Sequence, residues 1–493
     1  MKLKKITALL MSTAVIAGAL AGCGAPATPA DQPATPAEPT VDQPADPAED
    51  PAPADDPNAP VEGEVTVENA VGTINLWAFT DEVPKMIDAY VAAHPDFKYD
   101  VKTTIIATTD GAYQPALDQA LVAGGADAPD MFCAEAAFVL KYTQGDMHSY
   151  AAPYADLGID VDAALANAKI ADYTVQIGTS PEGNLVGLGY QATGGAFIYR
   201  RSVAEATWGT DDPAEVQAKI GGGSGSWDQF WAAAEDLKAK GFGIVSGDGD
   251  IWHAIENSSD AGWIVDGKLH IDPKREAFLD VSKKLKDNDY YNETQDWQDA
   301  WFADMKGEGA KEILGFFGPA WLINYTLAPN CGGEKVGEGT YGDWAICESP
   351  IGFFWGGTWV LASQTAAADA DKAAAVKELI EYITLDSSES GLQYAWANGT
   401  LYGEGGTKDC VASGTVMDKS NGELEFLGGQ NMFDVFVPAN SAAKGDNLTQ
   451  YDETINGYWR DQVRAYVAGE KDKDAAIADF KAMVSDNLGI DAE

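Results

Sequence analysis

The sequence predicts an α/β protein of two lobes, set behind an export leader and an unstructured tether. Three observations carry this. Residues 24–64 are dominated by Pro, Ala and acids, whereas strand and helix patterns begin after Val71. From Thr73 onward, strand and helix patterns alternate, the order that builds parallel strands covered by helices. The alternation then returns from Gly194, over a length sufficient for two cores.

Met1-Lys2-Leu3-Lys4-Lys5 is basic, Ile6 to Leu20 is apolar, and Leu20-Ala21-Gly22-Cys23 closes with small residues before a cysteine. This is the layout of a bacterial secretory signal, and the apolar run falls short of the roughly 20 residues a membrane span needs. The ending resembles the lipobox of bacterial lipoproteins. That implies a signal peptide over 1–22, with Cys23 as the lipidated (palmitate-bearing) first mature residue and acyl chains as the anchor. Residues 23–70 are expected to be a disordered tether, stiffened by Pro and extended by like charges.

The elements follow in order. Thr73–Phe79 reads as a buried strand, and Val83–His94 as a helix with Met86, Ile87, Tyr90 and Val91 on one face. Tyr99–Ala107 alternates and is β-branched, which predicts a strand, and Tyr113–Ala123 predicts a helix stopped by Gly124-Gly125. A short strand starts at Pro129-Asp130-Met131-Phe132. The second set has a strand at Gly194–Tyr199, a helix at Trp227–Lys240 between Ser226 and Gly241, and a strand at Gly243–Val245. A helix at Lys274–Lys286 leads into a polar, Trp-bearing stretch, Tyr290–Asp304. Strands at Leu314–Phe317 and Thr358–Ala362 and helices at Ala320–Leu327, Asp371–Ile383, Gly457–Val467 and Asp474–Leu488 complete the pattern.

Composition narrows the function classes. The net charge of -45, from 77 acidic and 32 basic residues, opposes nucleic acid and anionic lipid as partners of the folded part. The four His residues form no HxxxH or HExxH pair, and no EF-hand spacing occurs, so neither a metal nor a cofactor is expected. Gly221-Gly222-Gly223-Ser224-Gly225 lacks the GKS/T ending of a phosphate loop. Of the cysteines after Cys23, namely Cys133, Cys331, Cys347 and Cys410, the pair Cys331 and Cys347 flanks a Gly-rich turn and could form a local disulfide.

The segments, in their order and spacing, resemble the extracellular solute-binding proteins of carbohydrate ABC importers, the family that includes maltose-binding protein. The resemblance runs from about 73 to 485 and rests on Ile74-Asn75-Leu76-Trp77, Pro129-Asp130-Met131-Phe132-Cys133-Ala134-Glu135, Gly195-Ala196-Phe197-Ile198-Tyr199-Arg200, Ser226-Trp227-Asp228-Gln229-Phe230, Gly318-Pro319-Ala320-Trp321 and Gly356-Gly357-Thr358-Trp359. Arg200, the stretch Ser202–Ser224 and the loop holding Cys331 and Cys347 depart from the family pattern. The resemblance implies a type II periplasmic-binding-protein fold with a hinge and an inter-lobe cleft. It divides the chain into one lobe at 71–190 and 352–400 and another at 191–351 and 401–490. It also implies a monomeric receptor, not an enzyme, that captures an oligosaccharide and delivers it to an ABC permease. Its place would be the outer face of the cytoplasmic membrane, on a Gram-positive surface. The alternatives are a non-sugar solute such as a peptide or polyol, a glycan hydrolase, or an adhesin.

Site candidates follow from sugar chemistry, in which C–H faces stack on aromatic rings and hydroxyls need fixed donors and acceptors. The aromatic candidates near strand ends and Gly residues are Phe79, Trp252, Trp321, Trp355, Trp359 and Trp396. The polar candidates follow the first three strands: Asp81 and Glu82, then Asp110, then Glu135, where a parallel sheet presents its C-terminal edge. No carboxylate pair is fixed as a glycosidase would require.

Overall fold

A computed structural model describes residues 59–108, 111–403 and 405–492. Cys23, the signal peptide, most of the tether and Asp110 lie outside the described residues. In chain order the strands of the first lobe are β1 (Val61–Val65), β2 (Gly72–Ala78), β3 (Tyr99–Ile105), β4 (Met131–Glu135) and β5 (Gly187–Gly189). Those of the second lobe are β6 (Ala196–Arg200), β7 (Val245–Gly247), β8 (Tyr291–Thr294), β9 (Gly315–Gly318) and β10 (Trp344–Glu348). Strand β11 (Thr358–Ala362) returns to the first.

The first sheet has the order β1-β3-β2-β4-β11-β5. Strand β2 pairs in parallel with β3 and β4, as the alternating pattern predicts, while β1 and β11 run antiparallel to their neighbours. Strand β1 falls inside the stretch read as tether. Its side chains are mostly exposed, so it has no buried face for a hydropathy pattern to reveal, and backbone pairing to the β3 edge holds it. Ile74, Leu76 and Val101 are fully buried on this sheet.

The second lobe departs from the expected parallel repeat. Its central sheet, β9-β6-β10, is antiparallel throughout. The parallel element is a separate pair, β7 and β8. The period-two alternation of β6 sends Phe197 and Tyr199 to one core and Ala196 and Ile198 to another. The expected helix at Lys274–Lys286 is divided into Pro273–Glu276 and Phe278–Asp287. The closing helices are Asp452–Val467 and Lys473–Leu488, packed through Trp459 on Phe480 with centroids 4.9 Å apart.

Two segments pass side by side between the sheets. Gly195 N–H donates to Phe353 O at 2.8 Å, and Trp355 N–H donates to Thr193 O at 3.1 Å. Only glycine fits at 195, because a Cβ there would stand 2.0 Å from Phe353 Cζ. A third stretch joins them where Gln191 Nε2 donates to Asp409 Oδ2 at 3.1 Å.

The expected Cys331–Cys347 bridge is not formed. Cys133, Cys331, Cys347 and Cys410 are all free and buried. Cys331 and Cys347 belong to different hydrophobic cores, and the Cys331 thiol lies 3.1 Å from Ala328 O and 3.2 Å from Gly333 O. Cys347 sits in β10, whereas Cys331 follows the short Ala328–Asn330 helix, so flanking a turn in sequence did not bring the two thiols into one core.

Candidate functional site

The two lobes enclose a cavity of about 450 Å³. The first lobe supplies Glu135 and the turn after it. Glu135 ends β4, and one of its oxygens accepts from Ala137 N–H at 2.8 Å. Burial pushes its carboxyl up to about 7, partly offset by that backbone bond.

Three elements of the second lobe build the facing wall. The first is the Gly249–Asn257 helix after β7, whose start is fixed by Asp250 Oδ2, an acceptor from Ser246 and Gly247 N–H. It presents Trp252, His253, Glu256 and Asn257. Burial pulls His253 down to about 3, with Arg460 adding to the effect, so the ring is neutral near neutral pH. The His253 ring stacks on Trp355 with centroids 4.5 Å apart and planes 23° apart. Glu256 is pushed up to about 7 by burial, and Asn456 Nδ2 donates to its Oε1 at 2.6 Å.

The second is the turn after β8, which carries Asp296 and Trp297. Trp297 has a φ of 66°, in the left-handed region, and its side chain is half exposed. Its indole stacks on Trp321 with centroids 6.2 Å and planes 8° apart, and meets the edge of Trp355 at 5.9 Å.

The third is the Asp452–Val467 helix. Asp452, Glu453, Asn456, Arg460 and Arg464 recur at helical spacing and so share one face toward the cavity. Arg460 Nη2 pairs with Asp296 Oδ2 at 2.8 Å. Asp452 Oδ1 accepts from Thr449 N–H and Oγ1–H, while Oδ2 is buried without a hydrogen-bond partner among the described residues. Burial pushes Asp452 up to about 6.

Of the sequence candidates, Glu135, Trp252 and Trp355 line this cavity. Trp252 is almost fully buried and packs on Phe278, so its ring is largely core. Trp321 supports the wall from behind: its Nε1–H donates to Trp355 O at 2.9 Å. Gly356, with a φ of 70°, turns the chain next to that indole.

The others lie elsewhere. Phe79 packs edge-on against Tyr113 and Phe138 in the first lobe. Asp81 is exposed and pairs with Lys85 at 2.6 Å. Glu82 accepts from the Tyr190 hydroxyl, away from the cavity, and burial raises its pKa. Trp359 is buried in β11 and donates to Thr174 O at 3.2 Å. Trp396 packs on Tyr190 with centroids 5.7 Å apart. These residues share strand ends or Gly neighbours with true wall residues, but their side chains face the core or the outer surface.

Sequence reasoning missed His253, Glu256, Asp296, Trp297 and the stripe from Asp452 to Arg464. The stripe was legible as a helical polar period, but the helix was expected to start at Gly457, which cut off its first turn. Trp297 lay in the flagged Tyr290–Asp304 stretch, where no periodicity distinguishes one Trp from another.

The family model for bacterial extracellular solute-binding protein matches residues 78–389. The galacto-N-biose-/lacto-N-biose I-binding protein of the ABC transporter from Bifidobacterium longum, solved with lacto-N-biose, is 15% identical with a TM-score of 0.61, covering 87% of this chain and 100% of its own. An ABC substrate-binding protein from Listeria monocytogenes in complex with cycloalternan is 14% identical with a TM-score of 0.57, covering 85% and 99%. The sugar-binding protein MalE from Xanthomonas citri is 15% identical with a TM-score of 0.58, covering 83% and 95%. No curated protein matches the sequence.

Proposed function

Because the chain belongs to the bacterial extracellular solute-binding proteins, we propose that it captures a carbohydrate, an oligosaccharide in particular, in the inter-lobe cavity and delivers it to an ABC permease. The observation that carries this reading is the wall itself: Trp297 and Trp355 offer rigid ring surface beside the carboxylates and amides of Glu135, Glu256, Asp452 and Asn456. Rings serve sugar C–H faces and fixed polar groups serve hydroxyls. The sugar-binding proteins with the same fold support the choice of ligand class.

Nothing in this reading transforms the ligand. Binding stabilises the closed arrangement because only there do groups of both lobes reach it at once. Desolvation inside the cavity then gives discrimination, since an unmatched hydroxyl leaves a buried partner unsatisfied. The leader supports export, and Cys23 supports a lipid anchor that keeps a monomeric receptor near its permease, on the outer face of the cytoplasmic membrane.

Isothermal titration of the protein against oligosaccharides, amino acids, short peptides and polyols tests the reading. Saturable heat with at least one oligosaccharide is expected. Response to peptides or amino acids alone would replace the carbohydrate with another solute.

A further inference from the structure

We propose that the cleft selects carbohydrates bearing a protonated amine, such as amino sugars, over their neutral counterparts. The inference rests on the reading of the cleft as a carbohydrate site and adds the charge of the ligand. Five carboxylic acids line the cavity: Glu135, Glu256, Asp296, Asp452 and Glu453. Two arginines face them, and among the described residues no lysine lines the wall.

The cations are already committed. Arg460 is bound to Asp296 at 2.8 Å. Arg464 pairs with Asp461 on its own helix. Behind the wall, the fully buried Arg275 lowers both Glu256 and Asp452 by its charge, without a hydrogen bond to either among the described residues. Even counting all three arginines, acidic groups outnumber cations, and Glu135 on the opposite lobe accepts from backbone N–H groups and is pushed up further by Glu453.

Two features of the wall favour a cationic group in this space. Asp452 is 6% exposed, lines the cavity, and keeps its buried Oδ2 without a partner among the described residues. A buried carboxylate oxygen left in that state is costly unless a donor reaches it. The rings of Trp355 and Trp297 border the same space, and their π faces attract a cation as readily as a C–H face. A neutral sugar would satisfy the rings and some acceptors, whereas an ammonium group would in addition hold these buried acids in their charged form. An ammonium group matches both, and lies between acids of the two lobes. The chain's overall charge of -45 draws a cationic ligand toward the cleft as well.

The test uses matched sugar pairs that differ by amine against hydroxyl or acetamide: glucosamine and galactosamine with glucose, galactose and their N-acetyl forms, and the β-1,4 glucosamine dimer with cellobiose and its N-acetylated counterpart. Calorimetric titration of the full chain should give at least one amino sugar binding about tenfold or more tighter than its neutral partners, with the margin shrinking as salt rises. Glu453→Gln and Asp452→Asn should each reduce that margin. Glu453 is exposed, so its substitution leaves the fold intact and keeps the test valid if the Asp452 variant misfolds. Neutral sugars binding as tightly as the amines, or a margin insensitive to both substitutions, would overturn the proposal while leaving the carbohydrate reading in place. Absence of binding to any sugar alongside binding of another solute would overturn the carbohydrate reading and this proposal with it.

Discussion

The indoles of Trp297 and Trp321 lie 8° from parallel with their centroids 6.2 Å apart, joining the turn after β8 to the segment after β9. Trp321 in turn holds the Trp355 carbonyl at 2.9 Å. The half-exposed ring at the mouth is thus braced through Trp321 on the backbone that passes between the lobes.

Trp297 holds a left-handed backbone that costs a side-chain-bearing residue about 1–2 kcal/mol. Trp297→Gly relieves that cost but gives up packing on Trp301, Trp321 and Trp355, so it should weaken ligand binding by roughly tenfold or more while lowering stability by only about 1–2 kcal/mol. Calorimetry for binding and a melting curve for stability separate the two effects. A large fall in stability would mean that the ring is structural.

Arg460 and Asp296 form a pair that is three-quarters or more buried, and Asp296 also faces the start of the Gly249–Asn257 helix. Arg460→Met should cost roughly 3 kcal/mol, because it strands a buried carboxylate. Adding Asp296→Asn should recover much of that loss. Denaturant titration of the two variants measures the coupling, and purely additive losses would show that the pair does not interact.

The buried acids predict a pH dependence with a definite sign. Glu135 and Glu256 are pushed up to about 7 and Asp409 to about 8, all chiefly by burial. Each keeps its proton in the folded state at a pH where the unfolded chain has lost it. Stability therefore falls as pH rises toward these values. His253, pulled down to about 3 from 6.5, acts oppositely: its contribution is lost as pH drops below about 6.5. Between about pH 6.5 and 8 only the acids act, and stability should decline by roughly 1–3 kcal/mol. Thermal melts across that window check it. Asp409→Asn should flatten the decline.

The four cysteines from Cys133 onward are buried thiols. Native protein should react slowly with thiol reagents, denatured protein quickly, and reductant should leave the melting temperature unchanged. Protein alkylated while denatured but unreduced that still carried two unmodified cysteines, mapped to Cys331 and Cys347, would restore that bridge.

How much of this was legible in the sequence follows from what each pattern depends on. Tyr113–Ala123 and Thr358–Ala362 were read to the residue because local periodicity and Gly punctuation set them. Strand β1 was lost because its partner lies some forty residues away and no face of it is buried. The antiparallel order of the second sheet was also hidden, since Leu314–Phe317 reads the same in either direction. At the site, Glu135 followed from the rule for parallel strand ends. Trp359 satisfied the same cue of a neighbouring Gly pair, yet its ring turns into the sheet core. Sequence marks which residues stand near an edge; packing of both lobes decides which side chains face the gap.

The central claim is that one carbohydrate contacts both lobes in this cavity. Hydrogen exchange with and without the tightest-binding carbohydrate tests it most directly. Slowed exchange is expected in the Glu135–Leu140 turn of the first lobe together with the Gly249–Asn257 and Asp452–Val467 helices of the second. Protection confined to one wall, or protection away from this cavity altogether, would contradict it.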